Sequence, residues 1–241
     1  MTDDELSALY SREATEIMKA RGEALQRFYL QVRDAYQTPY QWPNLDPLRH
    51  EVALCITFGL HQAAINLTNH LLESLLKEAL ITHHSLPVLR KSGGDVVNSF
   101  IEGTEEARSK YGGANLGKTL SAAKRVGLIT KDQWKELDEF RKHVRNPYSH
   151  ADRAAMLRDT TVPMQPVRLS DGAFELGESR EVRAAKMPIG QGLILAMIAE
   201  RQSVPYFLHV DGLARELWPK VFPNAGRRRG DTGAEESSPP S

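Results

Sequence analysis

The chain has 241 residues, and its 31 Lys and Arg balance 31 Asp and Glu. It therefore lacks the global basic field of a protein that coats nucleic acid, and any polyanion site has to be local. The length suffices to bury a real core in one domain with or without appendages. The single cysteine, Cys55, excludes an intrachain disulfide; no N-terminal stretch reads as an export signal and no run is apolar enough to span a bilayer, so a cytoplasmic, non-membrane protein is expected.

In chain order the helical period dominates. Residues 3–36 predict a charged amphipathic helix with Leu6, Tyr10, Ile17, Ala20, Ala24 and Phe28 among its apolar positions and Gly22 as a weak point. Residues 37–47 hold three prolines and Trp42 and read as an ordered connector. From 48 to 83 the pattern is apolar on most sides, as in the central helix of a bundle. Asn66, Asn69, His70, Glu73 and Lys77 interrupt it with a polar stripe, which is either an exposed edge or the second wall of a site. Asn66-Leu67-Thr68 fits a glycosylation sequon, but within a helix. His83 and His84 have no carboxylate or cysteine at ligand spacing and read as a solvated pair.

Residues 92–113 predict a shorter helix between paired glycines. Residues 160–188 change character: Val167, Leu169, Phe174 and Leu176 flank Asp171-Gly172, a strong hairpin signal. Residues 189–218 restore bundle composition. The tail, 225–241, has no large apolar residues and is expected to be disordered, with Arg227, Arg228 and Arg229 as a small basic patch. Residues 1–224 are thus expected to form a single helical domain.

The chemistry concentrates where a charged helix meets a proline. From Thr130 the chain reads TKDQWKELDEFRKHVRNPYSHAD. Thr130 is placed to cap the helix, Asp132 favours its first turn, and Trp134, Leu137, Phe140 and Val144 form the buried stripe. Lys131, Lys135, Asp138, Lys142 and Arg145 fall on another face, so Arg145 is expected to leave on the polar side. Between positions 118 and 145 eight Lys or Arg stand against four Asp or Glu, a basic region in a neutral protein. Pro147 biases Asn146 away from helical geometry, so the chain should bend and bring His150 back toward Arg145. A permanent cation beside a group that titrates near neutrality is what metal-free phosphodiester cleavage needs. Each residue alone has an ordinary explanation: Arg145 as a surface arginine paired with Asp138 or a neighbour of Arg141, His150 as a helix cap or a histidine satisfied in the core.

In the order Arg-Asn-x-x-x-His, residues Arg145, Asn146 and His150 resemble the signature of the HEPN superfamily, which lies at the end of a bundle helix. The resemblance extends more weakly to Leu116-Gly117-Lys118 and on to Gly127-Leu128-Ile129-Thr130, similar to the short helix and turn before the signature helix, and to the apolar helix from 52 to 81. It implies an all-α, HEPN-like helical bundle, here with a small β-hairpin insertion. It further implies a metal-independent endoribonuclease that leaves 2′,3′-cyclic phosphate and 5′-hydroxyl ends, with no cofactor, acting in toxin-antitoxin or anti-phage defence. Arg145, His150 and Asn146 would be catalytic, and Lys142, Arg141 and Tyr148 would bind the RNA substrate. Homodimerisation would set two signatures face to face, and an antitoxin or other defence-system protein would be a partner. The alternative in a different class is a non-catalytic HEPN-like module that binds RNA, nucleotide or protein.

A competing motif, Gly112-Gly113-Ala114-Asn115-Leu116-Gly117-Lys118-Thr119, matches the P-loop pattern G-x-x-x-x-G-K-[ST]. A phosphate loop follows a buried strand, whereas residues 102–111 are polar and helix-like, so the glycines are expected to form a turn and Asn115 to cap a helix starting at Leu116.

Overall fold

The computed structural model describes residues 3–91, 96–145, 148, 153–157, 159–165, 167–170, 173–187 and 190–222. The fold is mostly helical. Helices α1 (Asp3–Gln37), α2 (Asp46–Thr57), α3 (His61–Lys91), α4 (Val96–Tyr111), α5 (Leu116–Arg125) and α6 (Lys131–Phe140) lead into a π-helical turn, Arg141–Arg145. A short α7 (Arg153–Leu157) precedes strands β1 (Thr161–Met164), β2 (Val167–Ser170), β3 (Ala173–Leu176) and β4 (Arg180–Arg183). A 3-10 turn, Ala184–Lys186, and α8 (Gln191–Val221) complete the order.

α3 is the axis, packed against α2, α4, α5 and α8. Its buried face runs through Ile65, Leu72, Leu76 and Leu80, doubled by Leu71, Leu75 and Ala79, so roughly half its circumference is core. α8 answers with Tyr206, Phe207, Val210, Leu213, Ala214, Leu217 and Val221 at three- and four-residue intervals.

The expected single helix from 48 to 83 is two helices. Gly59, at φ +71°, ends α2: its N–H donates to the Ile56 carbonyl (2.9 Å) and the Leu60 N–H to that of Cys55 (2.7 Å). This is a Schellman cap, and a Cβ at Gly59 would also lie 3.1 Å from that of Ala24. Apolar periodicity on both sides masks the stop.

α1 spans the expected residues, but only its second half enters the core, through Phe28, Val32 and Ala35. Tyr10, Ile17 and Ala20 are exposed, because α1 reaches beyond the helices that could cover them. Its C-terminal carbonyls, which lack intrahelical donors, are capped by Arg49 of α2, whose Nη1 donates to the carbonyls of Ala35 and Tyr36. The connector is ordered as expected: Asp46 accepts from the N–H groups of Tyr40 (2.7 Å) and Trp42 (3.1 Å), and Trp42 packs edge-on against Trp218 and Phe222.

The hairpin is longer than the sequence signal. β2 pairs with β3 (Val167 opposite Leu176), and β1 with β4 (Thr161 opposite Arg183). Two residues separate β1 from β2 and three separate β3 from β4. The turn Asp171-Gly172 lies outside the described residues, as does the tail 225–241. A small second cluster, Leu157, Ala184 and Leu195, fastens the hairpin base to α8.

Candidate functional site

Thr130 opens α6 with a capping box: its hydroxyl accepts from the Gln133 N–H (3.1 Å), and the Gln133 side chain accepts from the Thr130 N–H (2.9 Å). Leu137 is fully buried, and Trp134, Phe140 and Val144 pack on the core as the stripe predicts. Phe140 stacks on Tyr206 (5.0 Å between centroids) and His209 (5.4 Å), which locks the helix end to α8.

Past Phe140 the expected α-helix widens into the π turn Arg141–Arg145. An extra residue in one turn shifts the register of all that follows, and such turns recur at functional sites. Arg145, which α-helical spacing assigns to the solvent face of Lys135, Asp138 and Lys142, is instead turned onto α3. Its Nη2 lies 3.0 Å from Glu73 Oε2, and its side chain is only 25% exposed. Glu73 is shared, since Lys77 Nζ sits 2.9 Å from its other oxygen. Burial raises the Glu73 pKa, but hydrogen bonds from Lys77 and Arg145 outweigh it and hold the carboxyl below its ordinary range. Asp138, the sequence's expected partner for Arg145, binds Arg141 (2.7 Å) and Lys142 (2.7 Å). The Lys142 bond, then that from Arg141, keep it ionised against partial burial.

The polar stripe of α3 divides accordingly. Asn69, Glu73 and Lys77, spaced by four, face the neighbouring helices, whereas Asn66 and His70 are exposed. Asn69 Oδ1 accepts from the Tyr206 hydroxyl (2.7 Å), while its Nδ2 finds no acceptor among the described residues. The Tyr148 hydroxyl is likewise buried without a partner among them, and burial pushes its pKa up. The Tyr40 and Thr104 hydroxyls share this state, so it does not by itself mark a ligand.

Of the residues singled out by sequence, Arg145, Arg141, Lys142 and Tyr148 belong to this one stretch. Asn146 and His150 lie outside the described residues. Glu73 and Asn69 belong to the polar stripe that the sequence left open as an exposed edge or a second wall, and Tyr206 was missed; the i, i+4 spacing of Asn69, Glu73 and Lys77 on an apolar helix was the available signal.

The P-loop pattern has a different structure. Helix α4, not a strand, precedes it, and Gly112 closes that helix with its N–H on the Arg108 carbonyl (2.8 Å). A Cβ on Gly112 would come within 2.7 Å of that oxygen, which explains the glycine without any phosphate. Asn115 caps α5 through the Lys118 N–H (3.0 Å), and the buried Thr119 hydroxyl donates to the Leu116 carbonyl (2.9 Å). His84 pairs with Glu106 at 3.3 Å.

Among known proteins, no family model, curated protein or solved structure matches this chain. A functional reading rests on the residues of the site itself. No helix among the described residues is long and apolar enough to cross a membrane.

Proposed function

We propose that this chain is a metal-independent endoribonuclease of HEPN type, cleaving RNA to 2′,3′-cyclic phosphate and 5′-hydroxyl ends. The observation that carries the reading is the π turn that sets Arg145 on α3 against Glu73, a carboxylate that Lys77 holds by its other oxygen. In this reading one His150 takes the proton from a ribose 2′-hydroxyl, the 2′-oxygen bonds to phosphorus, and the P–O5′ bond breaks as the imidazolium of the second His150 in the proposed dimer protonates the 5′-oxygen. Arg145 stabilises the charge that develops on the phosphorane-like transition state, a contribution of roughly 3 kcal/mol per donor. Asn146 orients the phosphate or the imidazole, and Arg141, Lys142 and Tyr148 line the RNA path. Homodimerisation, an antitoxin or defence-system partner and a cytoplasmic location belong to the same proposal.

A second reading, a non-catalytic binding module, draws on the same ion pair. An arginine whose carboxylate partner is already in the fold is also what a structural arginine looks like. Incubation of single-stranded RNA with the full chain in EDTA separates the two. Cleavage with cyclic-phosphate ends, lost in His150→Ala, is the expected outcome. No cleavage, or cleavage abolished by EDTA and restored by magnesium or manganese, overturns the ribonuclease proposal.

A further inference from the structure

A second site lies at the opposite end of α3 from Lys91, about 18 Å along the helix from Glu73 at 1.5 Å per residue. There a cleft of about 430 Å³ opens between the Schellman corner and the start of α8, lined by His61, Gln62, Leu60, Leu193, Met197 and Glu200 among others. That volume falls in the range of small-molecule sites.

Its polar end is a set of donors without acceptors. α3 begins at His61, and its first intrahelical bond runs from the Ala64 N–H to the Leu60 carbonyl (2.9 Å). The N–H groups of His61, Gln62 and Ala63 therefore have no partner among the described residues, at the positive end of a 31-residue helix. His61 adds an independent indication. The residue as a whole is nine-tenths buried, its ring edge-on against Phe28 at 4.5 Å, with Nδ1 2.8 Å from Ser203 Oγ. With the Ser203 hydroxyl as donor to that nitrogen, the one acceptor it has among the described residues, the ring proton resides on Nε2. Nε2 has no protein partner among the described residues and serves the cleft as a donor.

Ser203 is fully buried behind the ring, which makes it an orienting group and not a nucleophile. The charges at the rim favour a monoanion. Glu200 is neutralised by Arg27 at 2.7 Å, and Arg21, anchored on the Phe58 carbonyl at 2.6 Å, stands beside Gly59. A dianion would still meet the Glu200 carboxylate. The rest of the wall is apolar and wet: Leu193 is 70% and Met197 50% exposed, one turn apart on α8.

We propose that this cleft binds an amphipathic monocarboxylate, its carboxylate on the first-turn N–H groups of α3 and His61 Nε2, its aliphatic chain over Leu60, Leu193, Ala196 and Met197. The site is independent of the proposed ribonuclease centre. The test is calorimetric titration of the full chain with octanoate, octanamide and acetate, with amide chemical shifts of His61, Gln62 and Ala63 followed by NMR. Octanoate is expected to bind saturably and to shift those three amides, with octanamide and acetate each weaker by at least about tenfold. Leu193→Glu, at an exposed position that leaves the core intact, should weaken octanoate by at least about tenfold. His61→Gln should do the same, and Leu193→Glu keeps the test decisive if that variant does not fold. No saturable binding, equal affinity for octanamide, shifts confined to other residues, or a dimer in sedimentation that Leu193→Glu dissociates would each overturn it, the last by assigning the apolar wall to a second copy.

Discussion

Replacing Glu73 by Gln tests the polar wall directly. The substitution preserves side-chain shape and leaves Arg145 and Lys77 facing an amide where a carboxylate had bonded both, at 3.0 and 2.9 Å. Exposed ion pairs are worth about 0–1 kcal/mol, whereas hydrogen bonds to charged groups are worth roughly 1.5–3 kcal/mol. The Glu73 side chain is 21% exposed, so the pair falls between these limits and a loss of about 1–2 kcal/mol is expected. In a chain of this size that lowers Tm by roughly 2–8 °C. The loss has a characteristic pH dependence. Because the folded-state pKa of Glu73 lies below the unfolded value near 4.5, its stabilisation is fully present above that value and disappears as pH falls through the folded pKa. The stability gap between the wild-type chain and Glu73→Gln, measured by urea unfolding, should be constant above pH 5.5 or so and close progressively toward pH 3. If the site is catalytic, the loosened guanidinium should also cost about 10–100-fold in kcat, since small misplacements of a positioned group have effects of that order. A gap that stays unchanged at pH 3, or no gap at pH 7, would show that Glu73 does not hold Arg145 as described.

His150→Ala and Arg145→Ala should each reduce RNA cleavage at least about a hundredfold with the far-UV helical signal retained; loss of the helical signal would mark the residue as structural. Lys118→Ala should leave cleavage unchanged, and ATP binding that this variant loses would contradict the turn-and-cap structure of residues 112–119. Thr130→Ala removes one half of the capping box and should cost about 1 kcal/mol in urea unfolding. Leu137→Ala, at a fully buried position, should cost about 2–5 kcal/mol; a loss below about 1 kcal/mol would mean that α6 is not held by its apolar stripe.

What could be read from the sequence was local. Thr130 with Gln133, and Asn115 before Leu116, are capping patterns whose donors and acceptors lie within three residues of each other, and both caps form. The stripe Trp134, Leu137, Phe140 and Val144 needs only helical spacing. The misread features depend on information from elsewhere in the fold. The break between α2 and α3 rests on a left-handed Gly59 amid continuous apolar periodicity, and the glycine is required partly because Ala24, 35 positions earlier, packs against it. The orientation of Arg145 depends on a π turn that side-chain periodicity does not encode, and on Glu73, 72 positions away. The exposed first half of α1 has the same amphipathic pattern as its buried second half; only the extent of the other helices distinguishes them.

The shared carboxylate bears on how such a site could work. Were Arg145 the sole partner of Glu73, recruiting its guanidinium to a phosphate would strand a partly buried carboxylate, whose desolvation would oppose the exchange. Lys77 removes that obstacle. It already holds the other oxygen, so the carboxylate keeps a cation and a hydrogen bond when Arg145 turns to an incoming anion. In the proposed reaction the incoming phosphodiester would thus take up one bond of a carboxylate that keeps another. In the proposed ribonuclease, the second partner of the carboxylate, more than the Arg145 ion pair itself, is therefore what would let the guanidinium reach a phosphate.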